Sequence, residues 1–277
     1  MNDNILPIIL IFFATLSITF QIHAWYFPKC YDEDSCRYTN QWSGAQKPPF
    51  KYRILTPYLS NLISNNYVIG FFITNFTGYF TTFMTFYFFL QKLSYNKKTA
   101  LTGTLITMLN LYTTNFAWRW LVDGIFLATF TICLYALLTK NFPLYLTSSL
   151  IGILNKENIL LIALLNLTWI TPAITIFILQ RLPDIKNAYY NGSTIPYQLS
   201  LLQKYWLEKI GELFLTFHVL PYYIIKNWHK TNNTIKKWTL TLTPCFLLIM
   251  ILGENVTRNL YPLIFIYIPF LLIEFEQ

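Results

Sequence analysis

The apolar residues of this chain come in runs too long and too free of charge to fill a soluble interior, and that limits every fold it can adopt. Ile5 to Ile22 carries no charged side chain, and neither does Val68 to Leu90. About 20 consecutive apolar residues suffice to cross a bilayer as a helix. Further uncharged runs follow at Thr99 to Trp118, Asn158 to Gln180, Trp238 to Gly253 and Asn259 to Ile273. Only 12% of the 277 residues are charged, against 55% hydrophobic, a balance that belongs to membrane proteins. The expected fold class is all-α, a polytopic transmembrane helical bundle of about 8 spans plus interfacial or re-entrant helices. It is expected to form one integral membrane domain over 1–277, with an outer loop at 23–53 and a polar or interfacial insert at 181–237. The first run lacks a basic leader and a small-residue cleavage site, so it reads as an anchor helix rather than a signal peptide.

Two runs are short. Gly124 to Thr139 gives 16 uncharged residues and Asn141 to Asn155 gives 15. Sixteen residues reach about 24 Å, against a hydrocarbon core of roughly 30 Å. Charges flanking such helices are expected to sit below the outer surface, facing water in a cavity rather than lipid. Leu213 to Ile225, interrupted by His218 and Pro221, is shorter still and reads as an interfacial or re-entrant helix. With the N-terminus inside, the inner loops hold 12 of the 20 Lys and Arg residues, including Lys92, Lys97, Lys98 and Lys140. The positive-inside bias then favours this orientation.

The net charge of +8 is spread over these short loops, which fits membrane topology rather than a nucleic-acid partner. No zinc spacing, Gly-rich phosphate loop or RNA-binding signature is present, so no metal site is assigned. Cys133 and Cys245 lie inside apolar runs and read as packing residues. Cys30 and Cys36 share the loop CYDEDSC and could close a disulfide on an oxidising face.

Under this topology Arg53, Arg119, Asp123, Lys156, Glu157, Glu254 and Arg258 all fall at outer helix ends. Arg119 with Asp123, and Glu254 with Arg258, are four apart, the spacing of one helix face. Lys51 and Arg53 precede Thr56-Pro57, which reads as an N-cap followed by proline at the first helical position. Leu59, Leu62 and Ile63 then form one apolar stripe. Cations ahead of a helix start make sense if an anion is shared with the free backbone N–H groups; otherwise they float at the membrane surface. Asp32, Glu33 and Asp34, set among Trp25, Tyr26, Phe27, Tyr31, Tyr38 and Trp42, are candidates for a general base. A divalent cation is compatible with the same acids, as is a plain solvated turn, and the aromatics suit either a sugar ring or an interfacial belt.

Four segments carry a family likeness. Pro49 to Pro57, PFKYRILTP, resembles the PFRYRVLVP segment of a broad group of bacterial multi-spanning proteins. WLVDGIF around Asp123, LNKEN from Leu154 to Asn158, and GENVTRNLYPLIFIYIP from Gly253 to Pro269 resemble that group's later segments, in the same order. The group is similar to the GT-C class of membrane glycosyltransferases, which are usually longer and work on the outer face; the resemblance implies a bacterial plasma membrane as the location, with an organelle inner membrane as the alternative. The resemblance implies a polyprenyl-phosphate-linked sugar as donor and an acid among Asp32, Glu33 and Asp34 as base. It implies Lys51, Arg53 and Arg258 as phosphate ligands, with Arg119, Asp123, Lys156, Glu157 and Glu254 in support. Two other readings stay open: a non-catalytic structural subunit of a large membrane complex, organelle-encoded or not, and a transporter or flippase of a lipid-linked substrate.

Overall fold

The computed structural model describes residues 5–24, 54–115, 123–166, 195–252 and 260–276, with scattered positions between 169 and 179. Every element among them is helical. The chain packs as two compact units, residues Met1–Phe89 with Phe116–Ala188, and Leu90–Asn115 with Tyr189–Gln277.

In the first unit, α1 (Ile5–Ala24), α2 (Leu55–Ile63) and α3 (Tyr67–Lys92, whose last turn enters the second unit) precede a hairpin of α5 (Asp123–Thr139) and α6 (Phe142–Ile153). A 3₁₀ helix, Glu157–Leu165, packs back on both arms of that hairpin. The second unit holds α4 (Lys97–Asn115), α7 (Ile195–Phe217), α8 (Leu220–Asn227), α9 (Asn233–Leu252) and α10 (Ile264–Leu272), the last framed by 3₁₀ turns Tyr261–Leu263 and Ile273–Phe275.

Asparagine marks where these helices begin. The side-chain oxygens of Asn66, Asn96, Asn141 and Asn232 accept from Val68 N, Thr99 N, Leu144 N and Thr234 N at 2.8–3.1 Å, each satisfying a backbone donor that the helix itself leaves free. The ends of α3 and α5 are closed by left-handed residues, Ser94 (φ 75) and Lys140 (φ 55). In both, the next residue's N–H reaches back five positions, Tyr95 to Leu90 O and Asn141 to Ala136 O, the wrap of a Schellman cap.

Close approach in the first unit rests on glycine. A Cβ on Gly78 would lie 2.4 Å from the carbonyl carbon of Gly124, and one on Gly70 2.2 Å from Ser60 O. So α3 touches both α5 and α2 backbone to backbone. In the second unit the organiser is α10, buried from Ile264 to Phe270 and packed against α4, α8 and α9. Buried polar groups latch onto it. Asn227 Nδ2 donates to Phe270 O (2.9 Å) and Glu274 Oε1 (2.7 Å), Tyr267 OH meets Thr243 Oγ1 (2.7 Å), and Tyr261 OH donates to Thr107 O (2.7 Å). Lys226 pairs with Glu274 at 2.7 Å.

The structure corrects several expectations. Ile54, not Thr56, holds the N-cap position of α2, and no side chain caps it. The Thr56 hydroxyl is drawn instead to Asn155, and Pro57 falls at the third helical position, where its missing N–H still costs no intrahelical bond. The stripe of α2 is inverted as well: Thr56, Pro57 and Ser60 are buried, while Leu62 is 71% exposed and Ile63 is exposed. Asn158 to Gln180 is not one α-helix, because the 3₁₀ helix ends at Leu165 and Asn166 breaks it. Leu213 to Ile225 is split between α7 and α8 at His218, which is exposed with φ 45. Much of the polar insert is helical, since α7 already begins at Ile195.

Of the membrane-spanning expectation, the helical class stands. Among the described residues, however, no helix is long and apolar enough to cross a membrane. The long helix α3 is interrupted by Thr74, Asn75, Thr77, Thr81, Thr82 and Thr85. The more apolar α5 has 17 residues, which reach about 26 Å.

Gly78→Ala is expected to destabilise the fold by about 1–3 kcal/mol through overpacking. Gly211→Ala in α7, where a Cβ meets nothing within 4 Å, is expected to stabilise by about 0.5–1 kcal/mol; thermal melting of the two purified variants reads the contrast. The Glu274 carboxyl is held below its ordinary value near 4.5 by hydrogen bonds from Lys226 and then Asn227. A depressed carboxylate contributes stability that is fully present above the unfolded value and is lost as pH falls through the folded one. Melting temperature should therefore drop below pH 4.5 in the wild type and depend less on acid in Glu274→Gln.

Candidate functional site

Asp123 opens α5, where the partial positive charge of the helix end favours a carboxylate. Lys156 follows the end of α6, in a turn where Asn155 N and Lys156 N both donate to Gly152 O (3.0 and 2.8 Å). Because α5 and α6 form a hairpin, the start of one and the end of the other share one end of the unit. There Lys156 Nζ donates to Asp123 Oδ1 at 3.0 Å, with the two side chains 4% and 6% exposed. The ammonium also lies 4.9 Å from the centre of the Phe126 ring, whose negative face attracts a cation. A charge so far from water persists only when paired and hydrogen-bonded.

A ladder of neutral polar groups continues from this pair. Thr56 Oγ1 donates to Asn155 Oδ1 at 2.6 Å, and Leu55 N donates to Leu154 O at 3.2 Å. Together these pin the first turn of α2 to the segment carrying Lys156. Ser60 Oγ lies 2.8 Å from Thr56 O and 3.1 Å from Thr74 Oγ1, and Thr74 Oγ1 donates to Gly70 O. Asn75 is buried beside Gly124, its Oδ1 without a hydrogen-bond partner among the described residues.

Asp123 and Lys156 are thus brought together across 33 positions, a contact that the one-face spacing of Arg119 and Asp123 does not reveal. Spacing exposes partners on one helix; a hairpin joins residues that no period connects. Glu157 opens the 3₁₀ helix, and its side chain lies outside the described residues. So do Asp32, Glu33, Asp34, Lys51, Arg53, Arg119, Glu254, Arg258 and the Cys30–Cys36 pair. Cys133 and Cys245 are free thiols, the first fully buried. Sequence reading did not single out Thr56 as an anchor, nor Asn155, Ser60, Thr74 and Asn75. The signal available was polar side chains clustered within otherwise apolar stretches.

An ion pair with both charges met is not itself poised to donate or abstract a proton. What the geometry does is hold three distant segments at one place: Leu55–Thr56, Asp123, and Leu154–Lys156. Comparison with protein-family models, curated proteins and solved structures finds no match.

Removing one charge leaves the other buried without this partner. Asp123→Asn and Lys156→Met are each expected to cost about 3–5 kcal/mol. The double variant should be less damaged than the sum of the two, because no unpaired charge remains. Thermal unfolding of all four forms closes the cycle; strict additivity would mean the two side chains do not interact.

Proposed function

We propose that this chain is a polytopic membrane protein of the GT-C type, which takes a polyprenyl-phosphate-linked sugar at its outer face. The observation that supports the reading most is a convergence. Thr56 belongs to PFKYRILTP, Asp123 to WLVDGIF, and Asn155 with Lys156 to LNKEN. Three of the four segments that carry the resemblance therefore meet through bonds of 2.6 and 3.0 Å. A chance likeness of short motifs gives no reason for them to touch.

Polarity supports the membrane setting. In α2 the Thr56 and Ser60 hydroxyls are buried while Leu62 and Ile63 are exposed and Leu55 and Leu59 only half-buried, the reverse of a helix bathed in water. Exposed apolar side chains run along α1 (Leu6, Phe13, Phe20), and Phe214 and Ile225 are exposed in the second unit. Faces of this kind need a lipid or protein cover. The short, apolar α5 then spans where the bilayer thins, or reaches only part of the way.

In the reaction, the acceptor hydroxyl forms a new bond to the anomeric carbon while the bond from that carbon to the phosphate oxygen breaks. The proton passes to a carboxylate among Asp32, Glu33 and Asp34, and the electron pair leaves with the polyprenyl phosphate. Lys51, Arg53 and Arg258 stabilise that leaving phosphate. Thr56, bonded to Asn155, fixes the helix that begins two residues after Arg53, so the Asp123–Lys156 pair acts as a positioning element. Arg119, Glu157 and Glu254 support the same charge network.

The exposed apolar faces equally suit neighbouring protein helices, which keeps the non-catalytic subunit of a membrane complex as a second reading. Under the enzyme reading, Arg53→Ala should weaken polyprenyl-phosphate binding by tenfold or more, about 1.4 kcal/mol, while leaving the melting temperature near wild type. Undiminished affinity would overturn the role of Arg53. A fixed-ratio assembly with other proteins and no bound polyprenyl lipid on purification would favour the subunit instead.

A further inference from the structure

We infer that the second unit carries a separate binding site for the phosphate headgroup of an anionic membrane lipid, in a cleft between the turn after α3, the turn before α9 and the end of α10. This rests on the membrane setting proposed above, not on sugar transfer.

The cleft has a volume of about 330 Å³, at the lower end of the range for small-ligand pockets. Of its lining, Ile235 and Pro269 are buried and Leu93 and Ile273 half-buried, whereas Ser94, Lys230, Asn232 and Glu276 are exposed, so the apolar side chains lie deeper than most of the polar ones. Several rim groups already have partners. Glu276 Oε1 accepts from Asn96 N (3.0 Å) and Asn96 Nδ2 (2.7 Å). Tyr95 OH donates to Pro269 O (2.5 Å), and Thr231 Oγ1 donates to Asn227 O (2.9 Å). Asn232 has its Oδ1 occupied by Thr234 N, so its amide N–H groups remain as donors.

Lys230 also lines the cleft and is exposed. Its ammonium makes no ion pair within 4 Å among the described residues; its charge acts on Glu274 at longer range, and Lys226 holds that carboxylate directly at 2.7 Å. The rim therefore offers a cation, the Ser94 hydroxyl and an amide beside apolar side chains, with the one carboxylate of the lining, Glu276, engaged through Oε1 by Asn96. A phosphate diester on a lipid chain has this same division into anion and hydrocarbon.

The surrounding charge has the matching sign. The segments bracketing the cleft, 92–98, 226–237 and 269–276, hold seven lysines and two glutamates. Juxtamembrane lysines of this density attract anionic lipid. A free phosphate ion would use the rim but leave the apolar side chains without a function, which favours the lipid as source.

The full chain, purified in an uncharged detergent, is titrated with phosphatidylglycerol, phosphatidylcholine or inorganic phosphate, and bound lipid is counted by native mass spectrometry. Phosphatidylglycerol should bind preferentially, and Lys230→Gln should weaken it about fivefold, the worth of one lysine near an anionic surface. Lys204→Gln, in α7 of the same unit but away from the cleft, should leave it unchanged. Equal loss in the two variants would mean diffuse charge rather than a site, and would overturn the proposal. So would competition by inorganic phosphate at concentrations that match the lipid, which would assign the rim to the free ion. Should alkaline carbonate release the chain from membranes without detergent, the membrane setting itself fails; should it stay inserted with Lys230→Gln binding normally, only the cleft assignment does.

Discussion

The contact between Lys156 and Asp123 sets the terms for the first unit. Neither charge can be left alone at that depth, so the start of α5 and the segment after α6 must arrive together, and the hairpin between them has one register. Asn155, next in line, then captures Thr56, and through it α2. A single electrostatic requirement is passed along a chain of hydrogen bonds until it fixes elements nearly a hundred residues apart. Buried ion pairs are poor sources of net stability but good at excluding alternatives, and here the alternatives excluded are other registers of a helix hairpin.

Helix positions were largely legible in the sequence, because runs without charge and the asparagines that cap them are local signals. α1, α3, α5 and α6 begin and end within a few residues of the uncharged runs that suggested them. What could not be read was which polar residue meets which. Thr56 has the chemistry of a cap, and nothing in its neighbours reveals that Asn155 will compete for its hydroxyl. The inverted stripe of α2 escaped for a related reason: periodicity says which residues share a face, not whether that face looks inward. The break at Asn166 and the kink at His218 depend on backbone geometry that composition does not encode. Of the charges that sequence reading gathered into one site, the described residues include the side chains of Asp123 and Lys156, and the bond between these two is one that no sequence spacing reveals.

Hydroxyls pose a separate problem in so apolar a chain, and the helices resolve it the same way many times. Thr15, Thr19, Thr74, Thr82, Thr104, Thr107, Thr131 and Thr216 each donate to the carbonyl four residues back. The bond is local, so it needs no partner helix and leaves the outer methyl for packing. Threonine can therefore occupy buried positions at little cost, and the chain keeps its polar side chains with longer reach, such as Asn155 and Asn227, for joining one element to another.

The meeting of Gly78 with Gly124 has an implication for how this protein can vary. At most crowded contacts a bulkier residue on one helix is tolerated once its neighbour shrinks. Here both sides are already at the minimum, and the atoms in the way are main chain. No exchange at the opposite position can relieve an added methyl, so suppressors of such a lesion should map to distant sites that raise stability in general.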